Sequence, residues 1–404
     1  MIVNKVYRFR IYPTPVQVER LTRWQGALRF LWNLAHEQRL IGLPNKRYPT
    51  AFDQINELTA CRADAPWLAD VPRNVCGQLL VELDRAWQRC FKKLARRPRF
   101  KCKGRDVVGI CEPHPKIWSL TGDGIVFPKL GAIRTVLHRK VDGTPKTCAL
   151  TQDGDQWYAC ITVEQEVEAP VPRTTPVVAI DRGVVNLVAD SDGKIVPAAR
   201  YFNEARRRLA RAQRTVSRRT KGSKNRDKAK LKVVRLHRTI RNQRDHVLHT
   251  LSHAYAKSHG TVVVENLQIK NMVRANSGLA RSILDSGWGG FASMLRYKLA
   301  WSGGQLATVP AAYSSQTCAS CGHVAAASRK SQAEFACVAC GVVEHADLNA
   351  AQVLLQRYLA VESTVTGCGG FATGRPVKQQ LRVVKRGQRT QGLDSLKDPA
   401  FGPG

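Results

Sequence analysis

The stretch VVAIDRGVVNLVADSDGKIV, residues 177–196, decides how this chain is read. Three short apolar runs are separated by turn formers at Arg182-Gly183 and Ser191-Asp192-Gly193, which predicts an antiparallel meander. The first run ends on a carboxylate, Asp181. A second apolar run, TVVVE at 261–265, also ends on one, Glu265, and the helical text ADLNAAQVLLQRYLAV opens with Asp347. Each acid alone has an ordinary explanation, as a turn former or a helix N-cap. Together they mean more, because a carboxylate at the end of an apolar strand is costly unless it is paired, solvated or metal-bound. Two strand-end acids and a helix-start acid can converge on one sheet edge, where hard divalent cations relieve their repulsion. Two Mg²⁺ about 3.5–4 Å apart at such an edge would suit phosphodiester hydrolysis. Asp181, Glu265 and Asp347 are therefore the expected catalytic and magnesium-binding residues.

Just ahead of Asp347, Cys318-Ala-Ser-Cys321 is followed after fifteen residues by Cys337-Val-Ala-Cys340. This C-x2-C-x15-C-x2-C spacing predicts a zinc ribbon. Two residues between thiolates let each pair form a tight knuckle, and Gly322 and Gly341 permit the positive φ that such knuckles often need. Four thiolates close a tetrahedral site without an open position, so Cys318, Cys321, Cys337 and Cys340 are expected to hold one structural Zn²⁺. The other eight cysteines, scattered singly, are expected to be reduced thiols, most of them buried.

Working outward, the 404 residues carry 64 Lys and Arg against 31 Asp and Glu, a formal net charge of +33. That excess points to a polyanion, nucleic acid above all, and 43% hydrophobic residues exclude a disordered basic tail protein. No apolar run reaches the ~18–20 residues of a membrane span, and MIVNKVYRFRIYP lacks a signal peptide's apolar region, so a soluble cytosolic protein is expected. VYRFRIYPTP reads as a strand, about 14–97 as a helical region, about 108–172 as strands of a β-barrel or sandwich, and VPRTTP (171–176) as a linker. Lys92–Arg105 holds eight Lys or Arg and no acid before Asp106. It is either a solvated loop or a nucleic-acid contact, and Phe100 beside Pro98 favours the contact, through Lys92, Lys93, Arg96, Arg97, Arg99, Phe100 and Lys101. Arg206–Arg244 holds 17 Lys or Arg and one acid, Asp227, on an apolar helical stripe. It is expected to be a basic helical hairpin that presents Arg207, Arg211, Arg218, Arg219 and Lys221 to nucleic acid. Trp288 could stack on a base or pack in the core, with the core preferred. Past Glu362 the text lacks sustained periodicity and is expected to be disordered.

The ordered set AIDRGVVNLVA, VVVENL, SGWGGF, CASC…CVAC and HADLNAA, with YRFRIYPTPVQVERL…GALRFLWN and the basic PRF stretch, resembles the TnpB family over nearly the whole chain up to about residue 360. These are transposon-encoded RNA-guided DNA nucleases, ancestral to type V CRISPR effectors. The resemblance implies an α/β plus β-barrel multidomain chain: a β-barrel wedge domain from 1–13 and 105–172, and a helical recognition domain at 14–104. It also implies an RNase H-like (RuvC) nuclease domain from 173–313 and 343–362 with the hairpin at 203–258, a zinc ribbon at 314–342 and a basic tail at 363–404. The implied activity is metal-dependent cleavage of double-stranded target DNA complementary to a guide RNA, next to a short motif, in a prokaryotic cytosol. The implied partners are a guide RNA from the transposon end and the target duplex, with no membrane and a monomer carrying its RNA. The family's catalytic acids fall on Asp181, Glu265 and Asp347, which favours an active nuclease over a nuclease-inactive RNA-guided DNA-binding regulator or an accessory transposase. Where some members carry an acid two positions before the last Asp, this chain has His345, read as a surface histidine in preference to a proton shuttle.

Overall fold

The computed structural model describes residues 1–45, 47–275 and 277–366. Strand β1 (Ile2–Tyr12) alternates so that Tyr7, Phe9 and Ile11 are buried while Arg8, Arg10 and Tyr12 face out. The chain then turns helical at Thr14, whose hydroxyl and backbone N–H form a reciprocal capping box with Gln17, behind Pro15 at the first helical position. The helical region is α1 (Pro15–Gly42), α2 (Ala51–Asp64), α3 (Pro66–Ala69) and α4 (Arg73–Phe91). Six strands follow: β2 (Ile110–Glu112), β3 (Ser119–Thr121), β4 (Gly124–Phe127), β5 (Gly131–Val136), β6 (Thr144–Asp153) and β7 (Gln156–Glu166).

Those six and β1 make one antiparallel sheet in the order β2-β6-β7-β1-β5-β4-β3. Its edge strands β2 and β3 do not pair with each other, so the expected barrel is an open sheet among the described residues. Each edge strand has three residues, and all three pair with the one neighbour, β6 for β2 and β4 for β3. The inner face shares a single core with the helices, in which Phe9, Ile161 and Phe127 join Trp24, Leu28, Leu80 and Trp87.

The second sheet combines β8 (Val177–Asp181), β9 (Asn186–Asp190), β10 (Ile195–Pro197), β11 (Thr261–Glu265) and β12 (Gln305–Val309) in the order β10-β9-β8-β11-β12. The meander β8-β9-β10 is antiparallel, whereas β8, β11 and β12 run parallel. Every residue of β11 is buried, as a parallel strand covered on both faces requires. Helices α5 (Tyr201–Arg218) and α6 (Lys224–Ser258) form the basic hairpin. After β11 come α7 (Ile269–Ala275), α8 (Ser277–Ser286) and α9 (Trp288–Trp301). Helices α6 and α9 pack Leu248, Tyr255, Phe291 and Leu295 on one face of the sheet. On the other face, α10 (Ala346–Thr366) packs Leu354 and Tyr358 against Ala179, Val263 and Val309. Between β12 and α10 the chain makes a small two-stranded ribbon, β13 (Glu334–Ala336) against β14 (Val343–His345).

The turn between β6 and β7 docks on α6. Asp155 accepts from Arg235 at 2.7 Å and from Arg238 at 3.1 Å, and Asp153 pairs with Arg241. Gly154, at φ +65°, lies so close to Val234 that a Cβ would sit 2.7 Å from its Cγ1. Met1–Tyr358 form one compact unit and Leu359 onward a second, whose described part is the last turns of α10. The tail at 363–404 lies almost wholly outside the described residues. Among the described residues no helix is long and apolar enough to cross a membrane.

Candidate functional site

Side-chain periodicity places the acids. Asp181 and Glu265 each lie two residues beyond a residue that packs against α10, Ala179 on β8 and Val263 on β11, so both point to the α10 face. The parallel register sets Ile180 beside Val264, so the two carboxylates end adjacent strands about 4.8 Å apart. Asp347 stands in the first turn of α10, seven residues before Leu354, on the helix face that meets the sheet. Glu265 and Asp347 are buried and Asp181 half-buried. Burial, then the neighbouring Glu265 and Asp347 carboxylates, push Asp181 well above the usual carboxylate range, against the pull of Arg329 and Arg182. Burial also raises Glu265, opposed by Arg182 and by hydrogen bonds from Ser314 and Asp181.

Sequence reasoning missed the residues that hold these acids. The buried Arg182 guanidinium donates to the Glu265 backbone carbonyl, crossing from β8 to β11. Ser314 Oγ donates to Glu265 Oε1 at 3.2 Å. Asn186 Nδ2 donates to Asp347 Oδ2 at 2.8 Å, and Arg329, sent in from the ribbon, reaches Asp347 Oδ1 at 3.5 Å. His345 is half-buried, and its Nδ1 accepts the Asp347 backbone N–H at 3.2 Å, so it caps α10 and is not simply a surface residue. Trp288 is buried, as preferred, and its indole N–H donates to the Gly183 carbonyl at 3.2 Å in the turn after Asp181. Arg182 and Asn186 had a sequence signal, their place in the DRGVVN stretch, whereas Ser314 and Arg329 had none.

The four cysteines come together. Their sulfurs all lie within 4.8 Å of one another, with Cys318 to Cys340 at 3.7 Å and Cys321 to Cys337 at 3.6 Å. A tetrahedron with Zn–S about 2.3 Å has edges of about 3.8 Å, so the thiols could hold one structural zinc. The two knuckles repeat the same bonds. Gly322 N–H meets the Cys318 carbonyl and Gly341 N–H the Cys337 carbonyl, with both glycines at positive φ, +75° and +74°. The amides of Cys340 and then Ala339 stabilise the Cys337 thiolate and bring it to about 6. Among the described residues this is the His, Cys, Asp and Glu group drawn that close, and the three acids are not. Carboxylate oxygens, crowded enough to perturb one another, are the donor set that a hard divalent cation takes. Every other described cysteine is a free thiol, of which Cys76 and Cys148 are buried and Cys61 and Cys102 exposed.

The basic segments divide. Lys92, Lys93, Arg96, Arg97 and Arg99 are exposed, and Arg99 spends part of its guanidinium on Asp106 at 2.8 Å. Phe100 packs edge-on against His36 at 4.8 Å while staying 43% exposed, and the Lys101 amine lies over Trp32 at 4.3 Å. The stretch is thus pinned along α1 with its charges outward. On α5, Arg207, Arg211 and Arg218 share one exposed face, with no carboxylate in ion-pair range among the described residues; Arg219 and Lys221 are exposed at the turn of the hairpin.

Comparison with known proteins gives three family matches. Residues 160–276 match a family described as "Probable transposase", 288–354 a "Cas12f1-like, TNB domain", and 1–40 a "Helix-turn-helix domain". That last segment folds here as strand β1 followed by the single helix α1. Among solved structures, the chain resembles that of a "Cas12f1-sgRNA-target DNA complex" with a TM-score of 0.52 at 14% identity, covering 87% of this chain and 98% of that one. The likeness shows a shared fold. The "Putative RNA-guided DNA endonuclease" of Streptomyces pristinaespiralis is 31% identical over 94% of each chain. The "Putative RNA-guided DNA endonuclease InsQ" of Escherichia coli (strain K12) is 36% identical over 93% of this chain and 97% of its own. With 93–94% of the chain covered in both matches, and at 31–36% identity, the chain belongs to the TnpB family.

Proposed function

We propose that this protein is an RNA-guided, divalent-metal-dependent DNA endonuclease of the RuvC type, cutting target DNA next to a short motif. The observation that carries the reading is the convergence of Asp181 and Glu265, at the carboxyl ends of parallel strands, with Asp347 in the first turn of α10, close enough that Glu265 and Asp347 hold Asp181 above the usual carboxylate range. The names of its relatives, RNA-guided DNA endonucleases, support the same substrate class. In this reading the three acids hold two Mg²⁺, which supply the charge that phosphodiester hydrolysis needs. Asn186 and Ser314 fix the orientation of Asp347 and Glu265, and the Trp288 bond to Gly183 steadies the turn behind Asp181. The cysteine ribbon is a structural zinc ribbon at 314–342. The open sheet serves as the wedge, 14–104 as the recognition domain, and the exposed arginines of Lys92–Lys101 and of α5 as backbone contacts for a protein monomer carrying its guide RNA. Base pairing then reads sequence while the protein reads shape and the short motif.

Asp181→Ala tests it. Mg²⁺-dependent plasmid cleavage with co-purified RNA should be abolished while guide-directed binding stays within a few-fold. Cleavage that survives in the variant, or binding lost together with cleavage, refutes the assignment.

A further inference from the structure

The three parallel strands have a second end. Val177, Thr261 and Gln305 start β8, β11 and β12 in mutual register, and each strand is entered from a short lead-in. Arg173, Lys257 and the pair Trp301-Ser302 stand three or four residues ahead of those starts, and with His253 and Ala256 they line one cavity of about 320 Å³. Strands of five residues put this cavity about 13 Å or more from the carboxylate edge. It is a separate place, at the amino ends of the strands.

Its chemistry is uniform. Trp301 is 47% exposed, and its ring is braced edge-on by Tyr297 at 5.1 Å. Ala256 lies beside it as apolar floor, His253 and Lys257 are exposed at the rim, and no carboxylate is among the lining residues. Lysines favour the last turn of a helix, which accounts for Lys257 and for Lys298, whose amine is spent on the His249 carbonyl and Ser252 Oγ. Helix ends do not account for an exposed tryptophan between them. Nor do they account for the fixing of Arg173. Its backbone N–H bonds the Gly303 carbonyl at 2.8 Å, and one guanidinium nitrogen holds the Lys257 carbonyl at 3.2 Å. Gly303 itself is at φ +79°, and a Cβ there would meet the Val171 carbonyl oxygen at 2.0 Å, so the lead-in is locked onto the end of α9. The result is a rigid aromatic wall under a cationic rim.

We infer that this cavity is a nucleotide-binding subsite, in which an unpaired base stacks on Trp301 while its flanking phosphates meet Arg173, Lys257 and His253. Stacking accepts any base, so the site is sequence-tolerant, and it holds a single strand away from the acid edge. The inference needs nucleic-acid binding but not cleavage, and so it is tested without magnesium.

Fluorescently labelled oligo(U) RNA and oligo(dT) DNA are titrated against the full chain in magnesium-free buffer without chelator, so that any ribbon zinc stays in place. Trp301→Ala should weaken at least one probe about fivefold or more, and Trp301→Phe should restore it. Arg173→Gln with Lys257→Gln should flatten the salt dependence by about 1.4 in log K per log salt. Ultraviolet crosslinking of the unmodified protein should place a nucleotide on the peptide carrying Trp301, whatever the variants' stability. An effect on RNA alone assigns the subsite to the guide, and one on DNA alone assigns it to a target strand. Affinities within twofold for both probes, or crosslinks that omit Trp301, overturn the inference. Cleavage by the parent with loss in Asp181→Ala is a separate result and stands or falls independently.

Discussion

Asn349 offers the sharpest test of how the ribbon is held. It is 1% exposed, and its amide is fully used: Oδ1 accepts the Ala319 backbone N–H at 2.9 Å, and Nδ2 donates to the Thr317 carbonyl at 2.7 Å. Both partners flank Cys318, so one side chain clips the first knuckle to α10. Gln356, seven residues on and on the same helix face, donates to the Ala319 carbonyl. Asn349→Ala leaves a buried donor and a half-buried acceptor without partners, at about 1–3 kcal/mol each, or about 2–6 kcal/mol in all. Metal binding and folding of such a ribbon are one equilibrium, so the loss should appear as weaker metal retention. The lower figure corresponds to about thirtyfold in affinity. Competition with a graded chelator series, read by a zinc indicator, measures this directly. Asn349→Asp should be no better, because it keeps the acceptor but turns a carboxylate towards the Thr317 carbonyl. If Asn349→Ala holds metal as tightly as the parent and melts at the same temperature, the ribbon is not held through Asn349.

Two further outcomes follow from ion pairs. Hydrogen bonds from Arg235 foremost, then from its own backbone N–H and Arg238, hold Asp155 down at about 2 against the effect of burial. A depressed folded value means that the contribution is complete above the unfolded carboxylate value of about 3.9 and disappears as pH falls towards 2. The melting-temperature difference between parent and Asp155→Asn should therefore shrink across that window, and a constant difference would show that the pair does not hold the turn on α6. Arg39 is buried with bonds to Gln54 and Asp84, yet one guanidinium nitrogen has no partner. Asp84→Ala, which strands that charge, should cost about 3–5 kcal/mol, whereas Arg39→Met, which strands only the buried Gln54 Oε1 beside a half-exposed Asp84, should cost about 1–3 kcal/mol by urea unfolding. Equal costs would refute the imbalance.

Much of this molecule was legible in one dimension. Apolar runs of five residues that stop at an acid read as strand ends, and the C-x2-C pairs read as one site, because both signals are local. The meander and the basic hairpin came from periodicity, and Trp288 lies in the core, the preferred of its two readings. The open first sheet was not legible, since β1 pairs with β7 and β5, more than a hundred residues away, and pattern does not rank pairings. The packing of Phe100 against His36 was not legible either, because the two rings lie on different elements. Arg329 was invisible for a like reason: within the ribbon it is one more surface cation, and only docking brings it to Asp347.

The motif ADLNAA, 346–351, shows where that division falls. By itself the sequence determined that an acid opens a helix just after a four-cysteine insert, because helix signals and metal-knuckle spacing are written in neighbouring residues. It could not say that the helix works on two sides. Residues two apart on an α-helix point about 200° apart, so Asp347 faces the strand ends while Asn349 faces the knuckle. Which surface each would meet depended on α10 packing Leu354 and Tyr358 over β8 and β11. Only the tertiary structure decided that, by burying one stripe of the helix.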